Sequence, residues 1–223
     1  MARKTTAKRG RRKPLNREHV LRAAVALADE SGIEALSMRR LGQELGVEAM
    51  SLYNHVANKD DLLNGITDLV LREIELPSDL DWKAALRRSA VSAHEVLRRH
   101  PWACNLALSP DRVVPVSVRR ADWMLRTLRE AGFPPEGTYH AFHALDAHIL
   151  GFTLWQLGHG IVDEKHLADI AATFFQTFPP DEYPYMHEHA QQHMTGFGRG
   201  EKGAFELVLD LILDGLERFG DHE

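Results

Sequence analysis

Apolar residues recur at helical spacing along most of the chain, and no segment gives a convincing strand pattern. From Arg17 to Ser31, residues Val20, Leu21, Ala24, Leu27 and Ala28 share one face, and Gly32 ends the run. Ser37 then stands as an N-cap for "MRRLGQEL", with Gly46 as its terminator. A third, short helix is predicted from Glu48 to His55. Asn58 caps a fourth, whose first turn holds Asp60 and Asp61, where the helix dipole favours acids. That helix is predicted to reach Glu75, after which "LPSDLD" breaks the chain.

The remainder reads the same way. "WKAALRRSAVSAHEVLRR" is one helix, stopped near Pro101, and a short segment leads to Pro110. "VSVRRADWMLRTLREAG" is another, ending at Gly132. Pro135–Gly158 forms a long helix that is apolar on most faces, which implies burial on more than one side. "DEKHLADIAATFFQTF" is amphipathic, and the segment from 179 to 200 reads as a loop with a helical turn or two. Glu201–Phe219 closes the chain as a strongly apolar helix with more than one stripe. The fold class is therefore all-α: a three-helix helix-turn-helix head followed by an α-helical body. The predicted division is a disordered arm over 1–16, a head over 17–75 with helix four as connector, and a body over 76–223.

Charge sharpens this division. The net charge of −5 conceals 12 basic and 7 acidic residues in positions 1–60, against 15 and 25 in the rest. Eight basic side chains and no acid fall within residues 1–17, which points to a polyanionic partner for the N-terminal part. No apolar run is long enough to cross a membrane, and no apolar core follows the basic N-terminus as in a secretory signal. The single cysteine, Cys104, excludes an internal disulfide and fits a cytoplasmic protein.

The segment "GVEAMSLYNHVANKDDLL" decides what the head is for. On a helical wheel, Leu52 and Val56 fall together and can pack on Leu41, Leu45, Leu21 and Leu27. Ala49, Met50, Tyr53 and Asn54 share the other side and present methyl, thioether, phenol and amide groups, types that read base edges. A helix this short is marginal in water, so burial on its neighbour must hold it. Ser37 can offer a hydroxyl to a phosphate at a helix N-terminus, and Arg39 one turn on can reach a groove. Lys59 opposes the dipole of its own helix, a conflict that a docked phosphate removes.

"GIEALSMRRLGQELGVEAMSLYNHVANKDDLL" resembles the DNA-binding head of the tetracycline-repressor family of bacterial regulators. The marks are the Gly-Ile-x-x-Leu-Ser-x-Arg lead, the Leu-Gly-Val turn, the Leu-Tyr-x-His-Val run and the Asn-Lys-x-x-Leu-Leu start of helix four. The likeness extends more weakly to "AGFPPEGTYHAFHALDAHILGFTLWQ" and "FELVLDLILDGLERF". It implies double-stranded operator DNA as partner, a homodimer, and a small-molecule effector, with repression relieved by that effector. Residue by residue, it implies that Arg39 reads a base, that Ala49, Met50, Ser51 and Tyr53 face the major groove, and that Asn54, His55 and Lys59 hold phosphates with Ser37. The tetracycline branch commonly has Gln-Pro-Thr where this chain has Ala49-Met50-Ser51, so a different operator is expected.

For the effector site, the residues expected to line a pocket are Trp102, Asn105, Trp123, Phe142, His143, Asp146 and Trp155. Trp155 stands where tetracycline-binding members carry an acid near the chelated metal, which argues against a magnesium–tetracycline ligand. His189 and His193 are spaced to share a helix face with His187 out of register, and no metal site or cofactor is assigned. A metal-sensing or ligand-independent regulator is the alternative. No nucleophile–base spacing, zinc-hydrolase pattern or phosphate cradle suggests an enzyme.

Overall fold

Asn16 fixes where the first helix starts: its side-chain oxygen accepts the backbone N–H of His19 at 2.8 Å. A computed structural model describes residues 15–109, 114–158, 164–193 and 203–220, so all but the end of the expected basic arm lies outside the described residues. Helix α1 (Arg17–Ser31) ends at Gly32, whose φ of 79° suits glycine, and a single 3₁₀ turn leads to the cap of α2 (Met38–Leu45). Ser37 Oγ accepts from Arg40 N–H, and Gly46 in the left-handed region closes α2.

The next helix, α3, is regular only over Ala49–Leu52, shorter than the span to His55 that the periodicity suggests. Its end tightens into i→i+3 bonds, Tyr53 to Met50 and His55 to Leu52. Beyond it the backbone finds partners in side chains instead of a continuing helix, as described below. α4 (Lys59–Leu71) is capped by Asn58, which accepts Asp61 N–H at 2.8 Å. It ends one turn short of Glu75, whose N–H instead donates to Ser92 Oγ.

Among the described residues seven further helices follow and no strand occurs: α5 (Trp82–Arg99), α6 (Pro101–Ala107), α7 (Pro115–Glu130), α8 (Pro135–Gly158), α9 (Glu164–Thr177), α10 (Pro184–His193) and α11 (Ala204–Gly220). The described chain falls into two compact units that part between Leu69 and Val70, inside the helix expected to act as connector. In the first unit, Val20, Ala24, Leu36, Leu41, Leu52, Val56, Leu62 and Ile66 form the core, each at most 1% exposed. In the second, α5 packs on α8 and α11, α7 packs on α8, and α6 fills the angle between α5 and α8.

Helix α8 shows why its sequence is apolar on most faces. Gly137, Ala141, Leu145, Ile149 and Thr153, four residues apart, form a buried stripe, while Tyr139, His143 and Trp155 emerge on another side. Of the buried polar side chains here, His94 and Thr153 pair with each other, whereas the hydroxyls of Ser89 and Thr138 have no hydrogen-bond partner among the described residues. Thr153 Oγ donates to Ile149 O, so it accepts from His94, whose Nδ1 at 2.7 Å therefore carries the proton. Burial, with the charges of Arg98 and His148 in support, lowers the His94 pKa to about 4, which keeps the ring neutral. The ring stacks on Phe205 of α11 at 4.0 Å, and His148 Nε2 donates to the Phe205 carbonyl. On the outside of the same contact, Lys83 pairs with Asp214 and Glu217, and Arg87 with Asp210.

Helix α10 occupies a stretch whose pattern suggested a loop with a turn or two. The pattern is weak because His187 and Ala190 are buried while Tyr185 and Met186 face solvent. His187 Nε2 donates to the carbonyl of Phe178, and its ring lies against Phe174 and Phe175.

At Gly42 the head's backbone leaves no room for a side chain. A Cβ there would sit 2.9 Å from the Val47 carbonyl oxygen and 3.2 Å from Ala49 N, both backbone atoms that have little room to yield. Gly42→Val is expected to destabilise the protein by about 1–3 kcal/mol, as overpacking does. It should also cost DNA affinity, because α3 must move. Urea denaturation beside a DNA titration checks this, and unchanged values in both would show that the α2–α3 approach is not constrained.

Candidate nucleic-acid interface and effector cavity

A helix-turn-helix works when one side of its second helix is buried and the other is free. Here Leu52 and Val56 are 0% and 1% exposed, while Met50 is 73% and Tyr53 44% exposed. Asn54 is exposed beside them, and Ala49 and Ser51 are half-buried at the edge. Methyl, thioether, phenol and amide groups thus occupy one continuous outward face, with His55 half-buried at its end.

A side-chain clamp holds this face. Arg17, at the start of α1, meets Asp61 of α4 in a two-pronged ion pair, 2.7 and 2.8 Å long. The same guanidinium donates to the carbonyl of His55 at 2.9 Å, and Asp61 Oδ2 accepts the N–H of Ala57 at 2.8 Å. Two backbone groups released by the end of α3 are satisfied this way, which explains why the helix stops where it does. The hydrogen bonds from Arg17 and from Ala57, in that order, hold the Asp61 pKa down from 3.8 to about 2. Sequence reasoning missed this role for Arg17, because a partner 44 residues away leaves no periodic trace.

The flanking groups expected at phosphates remain available. Ser37 is exposed, and its oxygen accepts from the helix, so its own proton is free to donate outward. The two neighbouring arginines diverge: Arg40 donates to Ser31 Oγ, whereas Arg39 is exposed with no hydrogen bond or ion pair among the described residues. Lys59 is exposed on the first residue of α4.

The second unit contains a cavity of about 280 Å³. Its wall takes Leu71 at the end of α4, Leu97 of α5, Val116 and Arg120 of α7, and Phe142 and Asp146 of α8. Of the residues expected around an effector, Phe142 and Asp146 are in this wall. Trp102 is buried against His100, and Asn105 is exposed. Trp123 donates its indole N–H to the Pro77 carbonyl at 3.1 Å. His143 meets Tyr139 in an open groove on the outer side of α8, and the half-exposed Trp155 lies beside Phe152. The indoles are thus spent on structure or on the surface.

Arg120 and Ser117 are the polar lining residues that sequence reasoning missed. The apolar spacing of α7, with Val116, Met124 and Leu128 buried, could have shown that Arg120 falls on the inner side. Arg120 and Asp146 pair at 2.9 Å with side chains only 16% and 27% exposed. Among the described residues no group of three or more His, Cys, Asp or Glu side chains could hold a metal, and the side chain of His193 lies outside them. Cys104 is buried, and burial raises its pKa to about 11, which keeps the thiol protonated and unreactive. No described helix is long and apolar enough to cross a membrane.

Comparison with known proteins agrees with this geometry. The family profile "Bacterial regulatory proteins, tetR family" matches residues 20–66, and "Tetracyclin repressor-like, C-terminal domain" matches 76–219. The transcriptional repressor DrrR1 of Streptomyces coeruleorubidus is 32% identical over 94% of this chain and 80% of its own length. The structure of the regulator SCO7222 of Streptomyces coelicolor superposes with a TM-score of 0.77, at 25% identity, over 93% of this chain and all of that one. ActR of the same organism, solved in complex with actinorhodin, gives 0.74 at 27% identity, over 94% of this chain and all of that one.

The clamp generates a pH test. A carboxylate whose folded pKa is depressed stabilises the fold above its unfolded pKa and loses that contribution as pH falls through the folded value. Asp61→Asn should therefore lower stability at pH 7 by about 1 kcal/mol, a value reduced by the exposure of the pair. The gap from the wild type should close between pH 3.8 and about 2. Urea midpoints of both proteins from pH 7 downward measure it. A gap that is absent at pH 7, or that widens on acidification, would refute the clamp.

Proposed function

The chain belongs to the TetR family of bacterial regulatory proteins, and on that premise we propose that it is a homodimeric repressor released from its operator by a small, largely apolar effector. The observation that carries this reading is the pairing of two surfaces: an outward α3 face that no described residue covers, and an apolar cavity whose wall includes the last turn of α4. In this reading, Arg39 and residues 49–53 read base edges, and Ser37, Asn54, His55 and Lys59 hold the backbone.

Release needs only differential affinity. An effector that fits one setting of Leu71 better than another biases α4, and Lys59 stands at the other end of that helix. The ligand shifts the DNA equilibrium only as far as it prefers one setting. ActR was solved in complex with actinorhodin, which supports a small-molecule ligand for a body of this fold.

Support for a dimer comes from apolar side chains left on the surface of the body. α8 presents Tyr139 and Trp155, and α11 presents Leu207, Val208 and Leu211, of which Leu211 is 64% exposed. Joined about a two-fold axis, α8 and α11 of two chains would make a four-helix bundle. Such a dimer, active where the bacterial chromosome lies in the cytoplasm, would carry two heads to a near-palindromic site.

The test is selection of duplex DNA from a random pool by the purified protein, followed by titration of the enriched sequence. Enrichment of an inverted repeat is expected. Arg39→Ala should cost about 1–3 kcal/mol and relax one position, whereas Lys59→Ala should weaken all sequences alike. Leu211→Glu should give single chains in sedimentation and lose the repeat preference. Apolar compounds that raise Tm should then displace the DNA. No enriched sequence would overturn the DNA-reading assignment, and stabilising compounds that never displace DNA would overturn the effector.

A further inference from the structure

The guanidinium of Arg120 has more donors than partners. Its Nη1 donates to Asp146 Oδ1 at 2.9 Å, and its Nε is buried with no hydrogen-bond partner. A guanidinium carries five N–H groups, and a buried donor left without a partner destabilises the fold. The other polar side chain beside the pair, Ser117, donates its hydroxyl proton to the Val114 carbonyl at 2.7 Å. Among the described residues Arg120 is therefore the side-chain donor still available in a wall otherwise built from residues such as Leu71, Val116 and Phe142. We infer that the effector is an uncharged molecule with an apolar body and a carbonyl or similar neutral acceptor, which accepts from the unspent Nη N–H groups of Arg120.

The inference rests on the reading above that this cavity is the effector site, and it adds the ligand's chemistry. Neutrality follows from Asp146. The pair is already charge-balanced, so a ligand carboxylate would bring an uncompensated negative charge beside Asp146 in apolar surroundings, at a large desolvation cost. A neutral acceptor meets the donors without that cost. A pure hydrocarbon fills the space and leaves them unmet, and a gap of one hydrogen bond to a charged donor is worth about tenfold in affinity.

Calorimetric titration of the full chain with three probes of one shape tests this: 9-fluorenone, fluorene and fluorene-9-carboxylate. Fluorenone should bind about tenfold tighter than fluorene, and the carboxylate weakest. In the double variant Arg120→Leu with Asp146→Leu, neither charge is left unpaired. There the fluorenone-to-fluorene ratio should fall to about one while fluorene still binds. A second, gentler variant guards against misfolding: Asp146→Asn leaves the guanidinium charge unbalanced and should move the carboxylate ahead of fluorene. Lack of saturable fluorenone binding, no preference over fluorene, a preference that survives loss of Arg120, or an unchanged carboxylate rank in Asp146→Asn would each overturn the inference. Displacement of the selected DNA is read separately. Arg120-dependent fluorenone binding without DNA release supports the acceptor site and counts against the effector reading. Release by other compounds with no ketone preference does the reverse.

Discussion

A helix of four residues has no stability of its own in water, and everything the head does depends on holding one in place. Burial of Leu52 and Val56 contributes most, at about 1.5–3 kcal/mol for each fully buried side chain. That burial fixes one side of α3 but not how the chain leaves it. The exit is fixed by Arg17 and Asp61, which take up the His55 carbonyl and the Ala57 N–H. Gly42 sets the third condition, because only a residue without a Cβ lets the start of α3 approach α2 so closely. Hydrophobic burial supplies the energy, and the polar clamp and the glycine supply the geometry.

The body solves a different problem with the same means. α8 must contribute to a core on one side and still carry large apolar groups on another. A repeat of every fourth residue, Gly137 through Thr153, keeps small or aliphatic side chains inward and leaves Tyr139 and Trp155 outward. The ion pairs of Lys83 and Arg87 with α11 lie at the surface and add little to stability, though they fit the register in which Phe205 reaches His94. Desolvation keeps His94 uncharged, and so this ring can serve as core.

Much of this was legible in the sequence where two independent signals coincided. α1, α5 and α8 lie where periodicity and helix breakers agree. α10 escaped because its described inward side chains are a histidine and an alanine, which periodicity does not register as core. The outward face of α3 could be read because 100° per residue separates Leu52 and Val56 from Met50 and Tyr53. The clamp could not, since ion pairs across 44 residues follow from tertiary packing alone. The cavity was legible only in Phe142 and Asp146. Aromatic size suggests a binding wall, but Trp102 and Trp123 are spent on His100 and the Pro77 carbonyl, while Arg120, a cation on an amphipathic helix, reads first as solvated.

The two compact units part inside α4, not in a linker, and that bears on how the chain melts. Each backbone N–H within a helix donates to a carbonyl four residues back, so the successive turns of α4 hold one another from Lys59 to Leu71. If its leading turns unravel, the next turn loses its partners and frays, and the buried Val70 and Leu71 are exposed as the loss spreads. Amide hydrogens along Leu62–Leu71 should therefore exchange with solvent as one cooperative group.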